Sequence, residues 1–130
     1  MPWLSLYAGM DGFLRWAAWL WPNEPFDFES YHYQKFRAGG THFVYPGRDG
    51  KPVYSLRYQN LKRGIRDQMI LQEYMKKTGD RDGVKAAAGS LIRAGSLEAM
   101  QGKYRKTASE MIELDYEVYE KLIQRFLRQL

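Results

Sequence analysis

The 130-residue chain contains no cysteine. Disulfides, thiolate nucleophiles and cysteine-ligated zinc are therefore excluded, while the cellular compartment stays open. Histidine is almost as scarce: His32 and His42 are the only two, and no neighbouring pattern turns them into a metal set. No metal and no cofactor is expected. A glycine-rich phosphate loop, a Gly-x-Ser-x-Gly turn and a His-Glu-x-x-His helix are also missing. So is any long unbroken apolar run. Residues 3–21 come closest, but Asp11, Gly12 and Arg15 lie at their centre. Each such charge would cost about 2.5–3.5 kcal/mol inside a bilayer, so no membrane partner is expected. Neither a basic n-region nor a small-residue cleavage site opens the chain, and we expect no signal peptide.

What is present favours a packed protein. Aromatic residues make up 15% of the chain, more than a disordered segment would carry. The net charge is +5, from 20 Lys and Arg against 15 Asp and Glu, which would permit an anionic partner. The basic residues are scattered, however. Their densest groups, Lys62-Arg63, Lys76-Lys77 and residues 103–106, fit solvated helix faces, so nucleic acid is not the expected partner.

The richest stretch is Asp11 to Pro22. Three tryptophans and Arg15 fall within seven residues, with glycine at one end and proline at the other. An apolar, aromatic run from Phe13 to Trp19, broken only by Arg15 and bounded by turn formers, reads as a buried strand. Taken alone, its tryptophans serve equally well as packed core or as ligand-facing rings at the end of a strand. Before it, residues 3–9 read as the last turns of a helix stopped by Gly9. After it, Trp21 to Ala38 reads as a long loop carrying Phe26, Phe28, Tyr31, Tyr33 and Phe36. Such a loop either lines a cleft or lids the core.

Thr41 to Tyr45 is rich in strand formers and runs into Pro46-Gly47 and Asp49-Gly50, two turn signals. Val53-Tyr54 can pair back across them as a hairpin. Ser55 is a suitable N-cap for a helix reaching Thr78-Gly79. Tyr58, Leu61, Ile65 and Met69 form its expected apolar stripe, widened by Leu71 and Tyr74, and Gly64 suits a close approach to a sheet. Residues 79–83 resemble the opening of a calcium loop, but its twelfth position is Leu91, so they read as a solvent turn. A short alanine-rich helix is expected over Val84 to Ala94. The tail from Leu97 is mostly helical, with Ile112, Tyr116, Tyr119, Ile123, Phe126 and Leu130 as a stripe for packing or self-association.

Glycosidic cleavage normally uses two carboxyl groups about 5–10 Å apart. Here the carboxylates are dispersed. Asp11 and Asp67 alone sit in apolar or patterned segments, and for both a capping role or an arginine partner is expected.

Three motifs occur in order: residues 9–17 (Gly-Met-Asp-Gly-Phe-Leu-Arg-Trp-Ala), residues 38–47 (Ala-Gly-Gly-Thr-His-Phe-Val-Tyr-Pro-Gly) and residues 55–67, from Ser55-Leu56-Arg57-Tyr58 to Asp67. Together they resemble the C-terminal end of the catalytic domain of glycoside hydrolase family 123-like proteins, over roughly residues 7–75. That family has a (β/α)8 barrel and acts on N-acetylgalactosaminides. The resemblance implies that residues 12–19 are the last barrel strand, 55–77 the last helix, and 21–54 the loop at the active face. It makes Trp16 the sugar-stacking platform, with Arg15, Trp19 and Tyr45 near the rim. The family's adjacent Asp-Glu pair, whose glutamate is the general acid, lies on an earlier strand, and no adjacent Asp-Glu occurs here. Gly40, Gln59 and Arg66 also stand where the family more often carries acidic residues.

A whole barrel needs at least about 200 residues. The expected fold is therefore α+β and mainly helical: a C-terminal fragment of a (β/α)8 TIM barrel over 1–78, then a helical tail over 79–130. No catalytic residue is assigned. The expected substrate-binding residues are Trp16, Arg15, Trp19 and Tyr45. The expected function is a fragment inactive by itself that binds carbohydrate, an amino sugar, or completes an upstream barrel chain. The alternative is a helical module for protein interaction or homo-oligomerisation.

Overall fold

The computed structural model describes residues 2–12, 18–27, 42–100 and 107–130, apart from the side chains of Leu97 and Met100. In chain order the elements are α1 (Pro2–Ala8), β1 (Val44–Pro46), β2 (Pro52–Tyr54), α2 (Leu56–Thr78), α3 (Arg81–Ser90), α4 (Leu97–Met100), α5 (Ala108–Met111) and α6 (Tyr116–Leu127). The protein is thus α+β and mainly helical, with one small sheet among the described residues. It divides into two units, Leu14–Arg63 and the combination of Met1–Phe13 with Gly64–Leu130.

The second of these, the helical unit, holds the apolar core. Trp3 of α1, Leu71 and Tyr74 of α2, Val84, Ala87 and Ala88 of α3, Leu91, and Ile123 and Phe126 of α6 form one buried cluster. The helix ends are set locally. Gly9 and Gly79 adopt φ of 68° and 76°, which only glycine takes without strain, and they stop α1 and α2 where expected. Ser55 Oγ accepts from Tyr58 N at 3.2 Å and so caps α2.

The face of α2 departs from the expected stripe. Ile65 and Met69 are 43% and 61% exposed, while Gly64, Asp67, Leu71 and Tyr74 are buried. The reason lies in α1. A Cβ on Gly64 would stand 2.9 Å from Pro2 Cγ, so the absent side chain admits a helix, not a sheet. Beside it, Trp3 Nε1 donates to Asp67 Oδ2 at 3.1 Å. Arg66 donates to Asp67 Oδ1 from Nε at 3.2 Å and from Nη2 at 2.9 Å, giving the buried carboxylate the arginine partner expected of it.

Two further expectations are corrected. Asp80 is no solvent turn: its Oδ1 accepts from Gly83 N at 2.8 Å and caps α3, which starts at Arg81 and stops at Ser90. In the tail, the stripe packs only between Tyr119 and Phe126: Tyr119 lies against the core and Ile123 and Phe126 are buried, whereas Tyr116 at the start of α6 and Leu130 beyond its end stay exposed. Ahead of α6, Glu113 organises the chain. Its Oε1 accepts from Leu114 N and Asp115 N, each at 2.8 Å, and its Oε2 accepts from Arg93 Nη2 at 2.7 Å.

Candidate functional site: a ring cluster around His42

In the unit Leu14–Arg63, the hairpin forms as its turn signals imply. Val44, Tyr45 and Pro46 lie opposite Tyr54, Val53 and Pro52, antiparallel. Upstream of β1, Trp19 and His42 form an isolated antiparallel bridge, and Phe43 N donates to Ala18 O at 2.8 Å. Phe43 O in turn accepts from Ser55 N at 3.1 Å and from Ser55 Oγ at 2.7 Å. The serine that caps α2 therefore also ties the helix start to the segment entering the sheet.

Rings gather on this frame. The His42 side chain is fully buried, and its ring meets the Tyr45 ring edge-on at 4.6 Å and 87°. Phe26 stacks on Tyr45 at 5.2 Å and 21°. Arg57 Nη2 donates to His42 O at 3.3 Å and to Tyr45 Oη at 3.2 Å, with its guanidinium carbon 5.9 Å from the Tyr45 ring centre. Trp21 Nε1 donates to Val44 O at 2.6 Å. A second stack, Tyr54 on Tyr58 at 4.6 Å, runs from β2 onto α2.

These contacts hold ring positions while leaving ring surface in solvent. Trp19 is 69% and Phe26 68% exposed. A ring held on one face by a stack, as Phe26 is on Tyr45, and open on the other can receive a flat, partly apolar ligand with little further ordering. Arg57 supplies a permanent cation and spare donors beside it. Acid–base chemistry is another matter. Among the described residues the one buried carboxylate is Asp67, which belongs to the helical unit and is committed to Trp3 and Arg66.

A family model described as glycoside hydrolase 123, catalytic domain, matches residues 1–74. The chain belongs to this family. No curated protein and no solved structure matches it. The family match takes in α1, the hairpin, the ring cluster and α2 as far as Tyr74.

Of the four residues expected to bind sugar, Trp19 and Tyr45 are joined through His42, one by backbone bridging and the other by ring contact. Trp16 and Arg15 lie outside the described residues. Sequence reasoning missed Arg57, Phe26 and Trp21 as organisers of the cluster. For Arg57 a signal existed: a cation two residues after an N-cap opposes the helix dipole, so some other interaction must hold it there. For Phe26 and Trp21 no periodicity could have singled them out from the other loop aromatics.

Proposed function

We propose that this chain supplies part of the sugar-facing wall of a glycoside hydrolase 123-type catalytic domain of the N-acetylhexosaminidase kind. In this reading the chain is a C-terminal fragment of a TIM barrel, with residues 12–19 as its last strand and α2 as its last helix. Trp19 and Tyr45 contact the substrate, with Trp16 and Arg15 from the adjoining stretch. The observation that carries the reading is the pair of exposed rings, Trp19 and Phe26, attached to the Tyr45–His42–Arg57 cluster inside the segment matched by the family model. The chain carries no adjacent Asp-Glu, so the proton donor comes from elsewhere and the isolated chain turns nothing over.

The test is a titration of the chain with N-acetylgalactosamine, read by tryptophan fluorescence, alongside a hydrolysis assay. A saturable response that Trp19→Ala weakens about tenfold is expected, together with no turnover. No response would remove the sugar-wall reading. Turnover that survives purification would remove the inactive-fragment reading.

A second reading concerns assembly. Ile65 and Met69, one turn apart on α2, stay exposed, which favours a covering partner: an upstream barrel chain or another copy. Sedimentation of the chain alone, and of Met69→Lys, separates these. Association with itself that the lysine abolishes supports a homo-oligomer, whereas a monomer at all concentrations leaves the barrel chain as the partner.

A further inference from the structure

Within the helical unit, the end of α1 and parts of α2 and α3 border a cleft of about 580 Å³ that is open to solvent on one side. That lies inside the range of about 300–1,000 Å³ common for small-molecule sites. Its floor is apolar: Leu6, Met75 and Val84 belong to the core or pack against it. Its walls are polar. Gln68 and Gln72, one turn apart on α2, place two amides on the same side of the helix. Asp11 follows α1, and Arg81, Asp82 and Lys85 line the α3 side. Lys76 pairs with Glu73. Among the described residues, by contrast, Asp11, Asp82, Arg81 and Lys85 have no ion-pair partner, so their hydrogen-bonding capacity is uncommitted.

The signs of these charges narrow the ligand. A simple anion entering the cleft would meet Asp11 and Asp82, and a simple cation would meet Lys76, Arg81 and Lys85. A zwitterion needs the two signs gathered at opposite ends, yet on α3 they interleave as Arg81, Asp82 and Lys85. What suits alternating donors and acceptors over an apolar floor is an uncharged ligand whose groups both donate and accept. Carboxylates, guanidinium and amides are planar and present two atoms each, which matches adjacent hydroxyl pairs. We propose that this cleft binds a short neutral saccharide through Gln68, Gln72, Asp11, Asp82 and Arg81. The site lies in the helical unit and does not depend on the ring cluster around His42.

The test is a two-dimensional 1H–15N spectrum of the full chain titrated with cellobiose, lactose and chitobiose. The side-chain amide signals of Gln68 and Gln72 should move saturably with at least one of them. The shifts should persist in about 0.5 M salt, where charge–charge attraction is screened. Gln72→Ala, at an exposed position that leaves the fold intact, should weaken binding about tenfold. Unmoved amide signals with all three sugars would overturn the proposal. So would amide shifts produced by glycylglycine or inorganic phosphate but not by the sugars. The indole signals of Trp19 and Trp21 report the ring cluster in the same spectra, so either site can fail without the other.

Discussion

In the helical unit, Leu71, Val84, Leu91 and Ile123 are fully buried in one cluster, whereas in the unit Leu14–Arg63 the single fully buried side chain among the described residues is His42. The first unit is held by burial, which is non-directional and scales with apolar area. The second is held by directed contacts: Arg57 to the His42 carbonyl, Trp21 to the Val44 carbonyl, Ser55 to Phe43, and ring on ring. Burial gives stability but hides its side chains. Directed contacts give less stability but can fix a ring while its face stays in water. The difference suggests a division of labour, with one unit anchoring the chain and the other presenting surface.

Substitutions can break that comparison. The largest effect is expected from Leu71→Ala or Ile123→Ala, each removing a fully buried branched side chain at a cost of about 2–5 kcal/mol in urea unfolding. Phe26→Ala, on the exposed ring, should shift the midpoint within about 0.5 kcal/mol of the parent. If the two cost the same, the rings are structural and the division fails. Next comes Asp67→Ala, which strands the Trp3 indole N–H inside the core and should cost about 1–3 kcal/mol. Made on a Trp3→Phe background the same change should cost less, because no buried donor is left unpaired, and a cycle of the four proteins measures that coupling. Smaller again is Gly64→Ala. Its new methyl presses on the rigid Pro2 ring, costing about 1–3 kcal/mol, while better helix propensity returns about 1 kcal/mol. A net loss of stability is expected, and a gain would mean that α1 yields at little cost.

How much of this could be read from sequence follows the same line. Gly9, Gly79, Ser55 and the Pro46 to Pro52 turn are local signals, and the elements they bound lie where expected. The buried face of α2 was not legible, because its two decisive residues do not score as apolar. Gly64 is buried for what it lacks, and Asp67 for a partner 64 positions away. The same holds for the ring cluster. Tyr45 and Trp19 stood out through the family resemblance, but Arg57 and His42, which hold them, act partly through main-chain groups that no side-chain pattern encodes: the His42 carbonyl and the bridge to Trp19. Helix stops are written within a few residues, whereas which face packs, and against what, is written across the chain.

The smallest effect expected is one of pH, and it also tests where stability resides. Hydrogen bonds from the Asp115 amide, then from Arg93, hold the Glu113 carboxyl below its ordinary value of 4.5. Its folded pKa is depressed, so its contribution is fully present above pH 4.5 and is lost as pH falls through the lower folded value. Glu120 behaves alike, through Gln124 first and then Tyr116. Both carboxylates belong to the helical unit. Glu113→Gln should therefore lower the thermal midpoint slightly at pH 7, and the two midpoints should converge as the medium becomes acid. The Arg93 side chain is 49% exposed, which keeps the difference small, since water competes for that bond. Parallel curves, offset but never meeting, would assign the loss to packing rather than charge. Amide exchange sharpens the reading. Below pH 4.5 protection should fall first around residues 91–94 and 111–115, which Glu113 ties together through its bonds to Arg93, Leu114 and Asp115. Protection lost first at the hairpin instead would place the acid-sensitive contact in the other unit and reverse the comparison.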